Sequence, residues 1–243
     1  METDLYLYGI VLADCEAPSV EGVHGHAPRV VGSGSLAALV SDLEPVDALG
    51  DPDDLVAHTQ VLDALAEAHP VLPMAFGTVL PGDGDIAADL LSPREQEFVT
   101  ALERLRGLQQ YTVRVRFDRD AALREILEQN PEAMRLREQI AGTSEDQTRP
   151  QRIRLGELVV QTLEAWRPPE SESILGRLQP TVSELAVRSI GSAEDVVEAA
   201  VLVRPDAADG FEAEVERIAE ERHERLRFRL VGPQAPYDFV PQM

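Results

Sequence analysis

Gly32-Ser33-Gly34-Ser35-Leu36-Ala37 follows a short apolar run and satisfies the GxGxxA spacing of a dinucleotide-binding turn, where glycines let backbone approach a pyrophosphate. Asp53 and Asp54 lie about where such a site places its ribose-binding acid. Two features oppose that chemistry. The next segment ends at Pro45 with no βαβ alternation around it, and the region offers one arginine to meet phosphate. A glycine-rich hairpin turn is the plainer reading. Gly82-Asp83-Gly84-Asp85 hints at a calcium loop. Counting from Asp83 puts Arg94 where a bidentate glutamate is required, and no glycine at the sixth position. It reads as a turn with solvated acids.

His24 and His26 flank Gly25 and could share a metal, but no cysteine or third histidine is near. His58 and His69 fall on one face of an expected helix, yet eleven residues separate them by about 16 Å along its axis, too far for one ion. Histidines bordering an apolar stripe read as packed, hydrogen-bonded residues at the core edge. Cys15 sits between Asp14 and Glu16, whose charges oppose thiolate formation. The chain has no GxSxG, and carboxylate pairs are uninformative in so acidic a sequence. No catalytic residue, cofactor-binding residue or metal ligand is assigned, and no cofactor is expected.

The elements that would have to position such groups follow from apolar spacing. Asp4–Leu12 alternates as a strand, Ala13–Ala27 is loop, and Arg29–Gly32 and Leu36–Leu43 are two more short strands. Asp51 caps a helix with Pro52 at its first position, running to about Ala68 with Leu55, His58, Leu62 and Leu65 on one stripe. Val71–Leu80 is apolar but broken by Pro73, which favours an edge strand or strand-turn. A second helix starts at Ser92-Pro93 and ends near Gly107. Tyr111–Phe117 is a strand. Helix follows over Asp120–Gln129, with Leu123, Ile126 and Leu127 inward, and resumes after Asn130-Pro131 through Ile140. After a polar break at Gly142–Pro150, helix returns over Arg152–Arg167, with Leu155, Val159, Thr162 and Trp166 on one face. Glu184–Ile190 and Val196–Val203 read as a strand pair. Asp209–His223 is an amphipathic helix with Phe211, Val215, Ile218 and Ala219 inward and glutamates outward, and Leu226–Val231 is a last strand. The fold class is α+β in two domains, 1–107 a small mixed sheet with helices and 108–243 a β-α-β-β-α-β, ferredoxin-like order with extra helices in its first crossover.

Charge divides the chain in the same way. Its 243 residues carry 44 acids against 22 arginines and no lysine, a net of −22. Residues 1–85 hold 15 acids and one base, Arg29, while the remainder holds 29 acids and 21 bases. Such a surface repels phosphate backbones and anionic headgroups, so neither nucleic acid nor a membrane surface is an expected partner. The acidic Met1-Glu2-Thr3-Asp4 opening and the lone cysteine fit a cytosolic protein, and no apolar run approaches the roughly 20 residues that span a bilayer.

Tyr6-Leu7-Tyr8-Gly9-Ile10-Val11, the run from Ala57-His58 through Val71-Leu72-Pro73-Met74-Ala75-Phe76-Gly77-Thr78-Val79, and the ending Gly232-Pro233-Gln234-Ala235-Pro236-Tyr237-Asp238-Phe239-Val240 together resemble the gas vesicle protein F/L family. The likeness covers nearly the whole chain in order. It departs at Gln234, where the family often has a bulky residue, and at Gly142–Arg152, which lacks the family's lysines. The resemblance implies a non-catalytic accessory or minor component of gas vesicles, working with the small shell-forming (GvpA-type) protein and other accessory proteins in nucleation or assembly. It also implies two α+β domains, the second a modified ferredoxin-like fold. A soluble, strongly anionic partner could bind an apolar subunit by strand addition or by covering its apolar face. Val71, Leu72, Met74, Phe76, Val79, Pro236, Tyr237, Phe239 and Val240 are the candidate contact residues, with internal packing as the alternative. Rival functions are a nucleotide-binding enzyme using the Gly32–Ala37 turn and a regulatory ferredoxin-like module that binds a small molecule.

Overall fold

Strand β1 (Asp4–Leu12) runs through the middle of the first sheet, and Tyr6, Leu7, Tyr8, Ile10 and Val11 along it are fully buried. Both of its faces are covered, so its sequence reads as nearly continuous apolar residues. The computed structural model describes residues 3–44, 49–82 and 85–241. On one side β1 pairs antiparallel with β3 (Leu36–Leu43), which in turn pairs with β2 (Arg29–Ser33). On its other side lie two two-residue strands, β4 (Leu72–Pro73) and β5 (Val79–Leu80). Pro73 is thus tolerated at the sheet's edge, as its missing donor requires.

Gly9 makes this arrangement possible. The β1–β3 register shifts between Leu7 and Gly9, so Tyr6 and Tyr8 share one cluster with Val11 rather than with Ile10. A Cβ on Gly9 would stand 2.8 Å from the Leu72 carbonyl oxygen and 2.9 Å from a Val71 methyl.

Helix α1 (Pro52–Ala66) opens with a reciprocal capping box between Asp51 and Asp54. It buries Asp54, His58, Val61, Leu62 and Leu65, while Leu55, expected on that stripe, is 51% exposed. The buried set starts one position earlier because Asp54 turns inward to close the cap. His69 lies beyond the end of α1, so the expected shared face with His58 is not formed. Opposite Tyr6 and Tyr8, Leu7, Ala38 and Val40 pack with Ile86 and Leu90 of a π-helical turn (Ile86–Leu91). Helix α2 (Glu95–Leu105) packs against β1, β3 and β4, burying Phe98, Leu102 and Leu105.

A second sheet contains β6 (Gln109–Phe117), β7 (Glu184–Val187), β8 (Asp195–Val203) and β9 (Leu226–Gln234) in the spatial order β7-β8-β6-β9. Helices α3 (Arg119–Gln129), α4 (Pro131–Ile140) and α5 (Arg149–Leu178) separate β6 from β7, and α6 (Ala208–Arg222) separates β8 from β9. The Asp118 side chain accepts from the Ala121 N–H to start α3, and Asn130 caps α4 from both Glu132 and Ala133. The chain forms two compact units, one of residues 1–111, 202–205 and 232–243, the other of 112–201 and 206–231. No helix among the described residues is long and apolar enough to cross a membrane.

Helix α5 corrects the local reading most. It begins at Arg149 and continues for 30 residues through Pro168 and Pro169, past the expected end at Arg167. Two prolines remove two ladder donors and normally break a helix. Side chains on both sides of the pair hold it. The Arg167 guanidinium donates to the carbonyls of Asp195, Ser192 and Ala193 at 2.8–3.3 Å. Glu170 accepts from Arg222 and Arg225, and Ile174 and Leu178 are fully buried. Two further inward-outward expectations change. Leu123 of α3 is 37% exposed, and Glu214 of α6 is buried, held by Arg177 at 2.8 Å and by Arg217. A carboxylate can sit inside when guanidiniums replace its water.

Candidate functional site

The Val71–Val79 run and the C-terminal tail are both built onto the first unit, around the aromatic side chains of β1. Tyr6 and Tyr8, two apart on a strand, point to one face with ring centroids 4.9 Å apart in an edge-on pair. His58 of α1 stacks on Tyr8 at 5.7 Å and meets Phe76 edge-on at 5.7 Å. The Tyr6 hydroxyl accepts from the Gly77 N–H at 3.1 Å and lies 2.9 Å from His58 Nδ1. One phenolic hydroxyl, able both to donate and to accept, thus meets the Gly77 N–H and the imidazole together. The Tyr8 hydroxyl accepts from the Val23 N–H at 2.8 Å and contacts Ser41 Oγ at 3.0 Å. Gly22 leaves the space this requires, since a Cβ there would lie 2.2 Å from the Tyr8 hydroxyl oxygen.

Burial governs the protonation of this group. It pushes His58 down to about 4, opposed by the Met74 backbone carbonyl. It raises Tyr6 to about 12 and also raises Tyr8. The imidazole is therefore neutral and the phenols protonated across the ordinary pH range. This is a hydrogen-bonded packing node joining β1, α1 and the Phe76–Gly77 turn.

The tail is fastened at two points. Asp63 of α1 accepts from the Ala235 N–H at 2.8 Å, and its carboxyl is shifted up by burial. Gln110 both donates to Asp238 and accepts from its N–H, at 2.8 and 3.1 Å. Tyr237 is 36% exposed, and partial burial with the nearby Asp63 carboxylate makes its phenol harder to ionise.

The structure brings several of the candidate contact residues together. Val71 and Ala235 belong to one buried cluster with Tyr6 and Tyr8, and Phe76 packs against it. Leu72, Pro236 and Phe239 are buried, and Val240 is half-buried. Met74 goes elsewhere, to the cluster of Leu7, Ala38 and Val40 on the opposite face. Only Val79 and Tyr237 of the set count as exposed, at 37% and 36%. Asp63 and Gln110, which anchor the tail, were not singled out by the sequence. They act across 172 and 128 residues, and nothing in their neighbours marks that pairing.

The other motifs take plain geometry. Gly32–Ala37 is the tight connection between antiparallel β2 and β3, with Gly34 at φ +67°. No helix follows it, and Ser35 Oγ donates to Glu95 at 2.5 Å, which puts a carboxylate at the turn where a phosphate would need to approach. Asp85 accepts from the Ala87 and Ala88 N–H groups and starts the π-helical turn; Asp83 and Gly84 lie outside the described residues. His24 approaches Asp54 at 3.7 Å. Among the described residues no group of three His, Cys, Asp or Glu side chains could hold a metal ion. Burial, followed by Asp14 and Glu16, pushes the Cys15 thiol up to about 11.

A family model described as gas vesicle synthesis protein GvpL/GvpF matches residues 4–241. Gas vesicle protein F of Streptomyces sp. (strain CB03234) is 34% identical to this chain, over 97% of it and 98% of the relative. The crystal structure of GvpF from Anabaena sp. PCC7120 superposes with a TM-score of 0.79 at 23% identity, covering 99% of both chains. That of GvpF from Microcystis aeruginosa does so with a TM-score of 0.73 at 20% identity, covering 99% of this chain and all of the other.

Proposed function

The chain belongs to the GvpL/GvpF family of gas vesicle synthesis proteins, and from that premise we propose that it binds the small apolar shell protein of the vesicle and assists nucleation and assembly without catalysing a reaction. The observation that carries this reading is the family match over both units, residues 4–241. Physical chemistry supplies the rest. A vesicle wall repels water on one side, so its subunit is prone to self-association before assembly. A partner with a net charge of −22 keeps a bound apolar subunit dispersed by mutual repulsion of the complexes.

The proposed contact elements are the Val71–Val79 and Pro236–Val240 segments. Val79 and Tyr237 present their exposed side chains, while Val71, Leu72, Pro236 and Phe239 hold the segments on the first unit. In the second unit, the strand order β7-β8-β6-β9 with helices in both crossovers supports a modified ferredoxin-like module. The working location is the gas vesicle and the cytoplasm in which it assembles.

Co-expression with the shell subunit tests the proposal. The subunit's soluble fraction rises and it co-purifies with this chain, and Val79→Asp with Tyr237→Asp weakens the co-purification. A soluble fraction and pull-down unchanged by this chain would reject shell-protein binding.

A further inference from the structure

The second unit carries an apolar groove that none of its own side chains fills. It has a volume of about 430 Å3 and runs between α3 and α5, with Ile140 of α4 also in its lining. Leu155, Val159 and Val160 of α5 and Leu123 of α3 form its walls. Leu123 and Val160 remain 37% and 41% exposed, an expensive arrangement for aliphatic side chains facing one another across a gap.

Gly156 deepens the groove. It sits in the interior of α5, where glycine is the poorest helix former after proline. A Cβ there would meet nothing within 4 Å, so no close approach within the chain demands glycine.

The charges at the groove point to what it accepts. Arg119 and Arg152 both line it. Among the described residues Arg152 donates only to neutral partners, Thr148 Oγ1 and the Thr143 carbonyl, both at 3.3 Å. Arg119 has no hydrogen-bonding or ion-pair partner among the described residues. The one acid in the lining, Glu194, lies 4.0 Å from Arg116. In a chain with twice as many acids as arginines, most guanidiniums elsewhere in this unit meet carboxylates, as Arg177 meets Glu214 and Arg227 meets Asp118. Arg135, Arg137 and Arg149 likewise meet none among the described residues; what sets Arg119 and Arg152 apart is their place in the lining of an apolar groove, where they complement carboxylates from outside.

We propose that this groove docks an amphipathic helix of a protein partner, its aliphatic stripe seated on Leu123, Val159 and Val160 and its flanking carboxylates meeting Arg119 and Arg152. The groove shares no residue with the Val71–Val79 and Pro236–Val240 segments, so its failure leaves the shell-protein reading standing, and the converse.

The test uses the full chain and a labelled helical peptide of about five turns with leucines at i, i+3, i+4 and i+7 and glutamates flanking them. One twin carries lysines in place of the glutamates. Fluorescence anisotropy is read at about 0.15 M salt, where the roughly 8 Å screening length suppresses the chain's distant negative charge. The acidic peptide binds saturably, at least tenfold more weakly to Gly156→Trp and several-fold more weakly to Arg119→Glu, and the lysine twin binds more weakly than the acidic one. If Gly156→Trp melts early, Val160→Arg carries the same comparison from an exposed wall position. Absence of saturable binding, equal binding of the lysine twin, or unchanged affinity in the groove-blocking variant overturns the proposal. So does a dimer in sedimentation that Gly156→Trp dissociates, which would assign the groove to a second copy of this chain.

Discussion

Tyr6 does three jobs with one side chain: it packs against Tyr8, accepts from Gly77 and shares a hydrogen bond with His58. Tyr6→Phe keeps the ring and strands the other two groups. Leaving a buried donor or acceptor unpaired costs about 1–3 kcal/mol, so urea unfolding should show a loss of that order. His58 sets a pH dependence. Its folded value of about 4 lies below the ordinary 6.5, so between these limits the unfolded chain binds the proton and the folded chain does not. Stability is therefore full above about pH 6.5 and declines as pH falls toward 4, by up to about 3 kcal/mol. Melting curves across that interval should show the decline, and His58→Gln should flatten it. Sequence placed His58 on an apolar helix face and favoured a packed role. Its partners were not legible, because Tyr6 and Phe76 reach it only after a strand and a turn have been folded over α1.

Among the elements, β1 and its two short neighbours depend on a single close approach. Gly9→Ala drives a methyl into the Leu72 carbonyl, a backbone atom that cannot rotate away. Overpacking of this kind costs about 1–3 kcal/mol, and the damage should concentrate in the Leu72–Leu80 segment, read as faster amide exchange at Met74, which donates to the Tyr8 carbonyl. Most strands were readable from alternation, the cap of α1 from Asp51 and the break between α3 and α4 from Asn130-Pro131, whereas the capping by Asp118 and Asn130 emerges only in the structure. The course of α5 was not. Pro168-Pro169 argues locally for an end, and only the distant groups that hold Arg167, Glu170, Ile174 and Leu178 reverse that argument.

For the molecule as a whole, charge is the dominant feature. The first 85 residues carry 15 acids and one arginine, and that arginine is spent on a cross-strand pair with Asp42 at 2.8 Å. Repulsion is left largely unanswered there, whereas the second unit is laced with guanidinium–carboxylate pairs. Raising salt from about 0.01 to 1 M shortens the screening length from about 30 to about 3 Å. The melting transition that reports the first unit, followed by the tyrosines of β1, should rise by a few degrees, about what 1 kcal/mol supplies. A fall would mean that ion pairs, not repulsion, set the balance.

Apolar periodicity, cap residues and charge are local or additive properties, so the α+β class, the order of most elements and the family likeness could be read from the residues in line. Burial of a particular side chain is a property of what lies opposite it. Whether Phe76 and Ala235 share one cluster, Glu214 turns inward, Leu123 faces a groove or a helix survives two prolines was decided only when segments far apart in sequence met and exchanged water for one another.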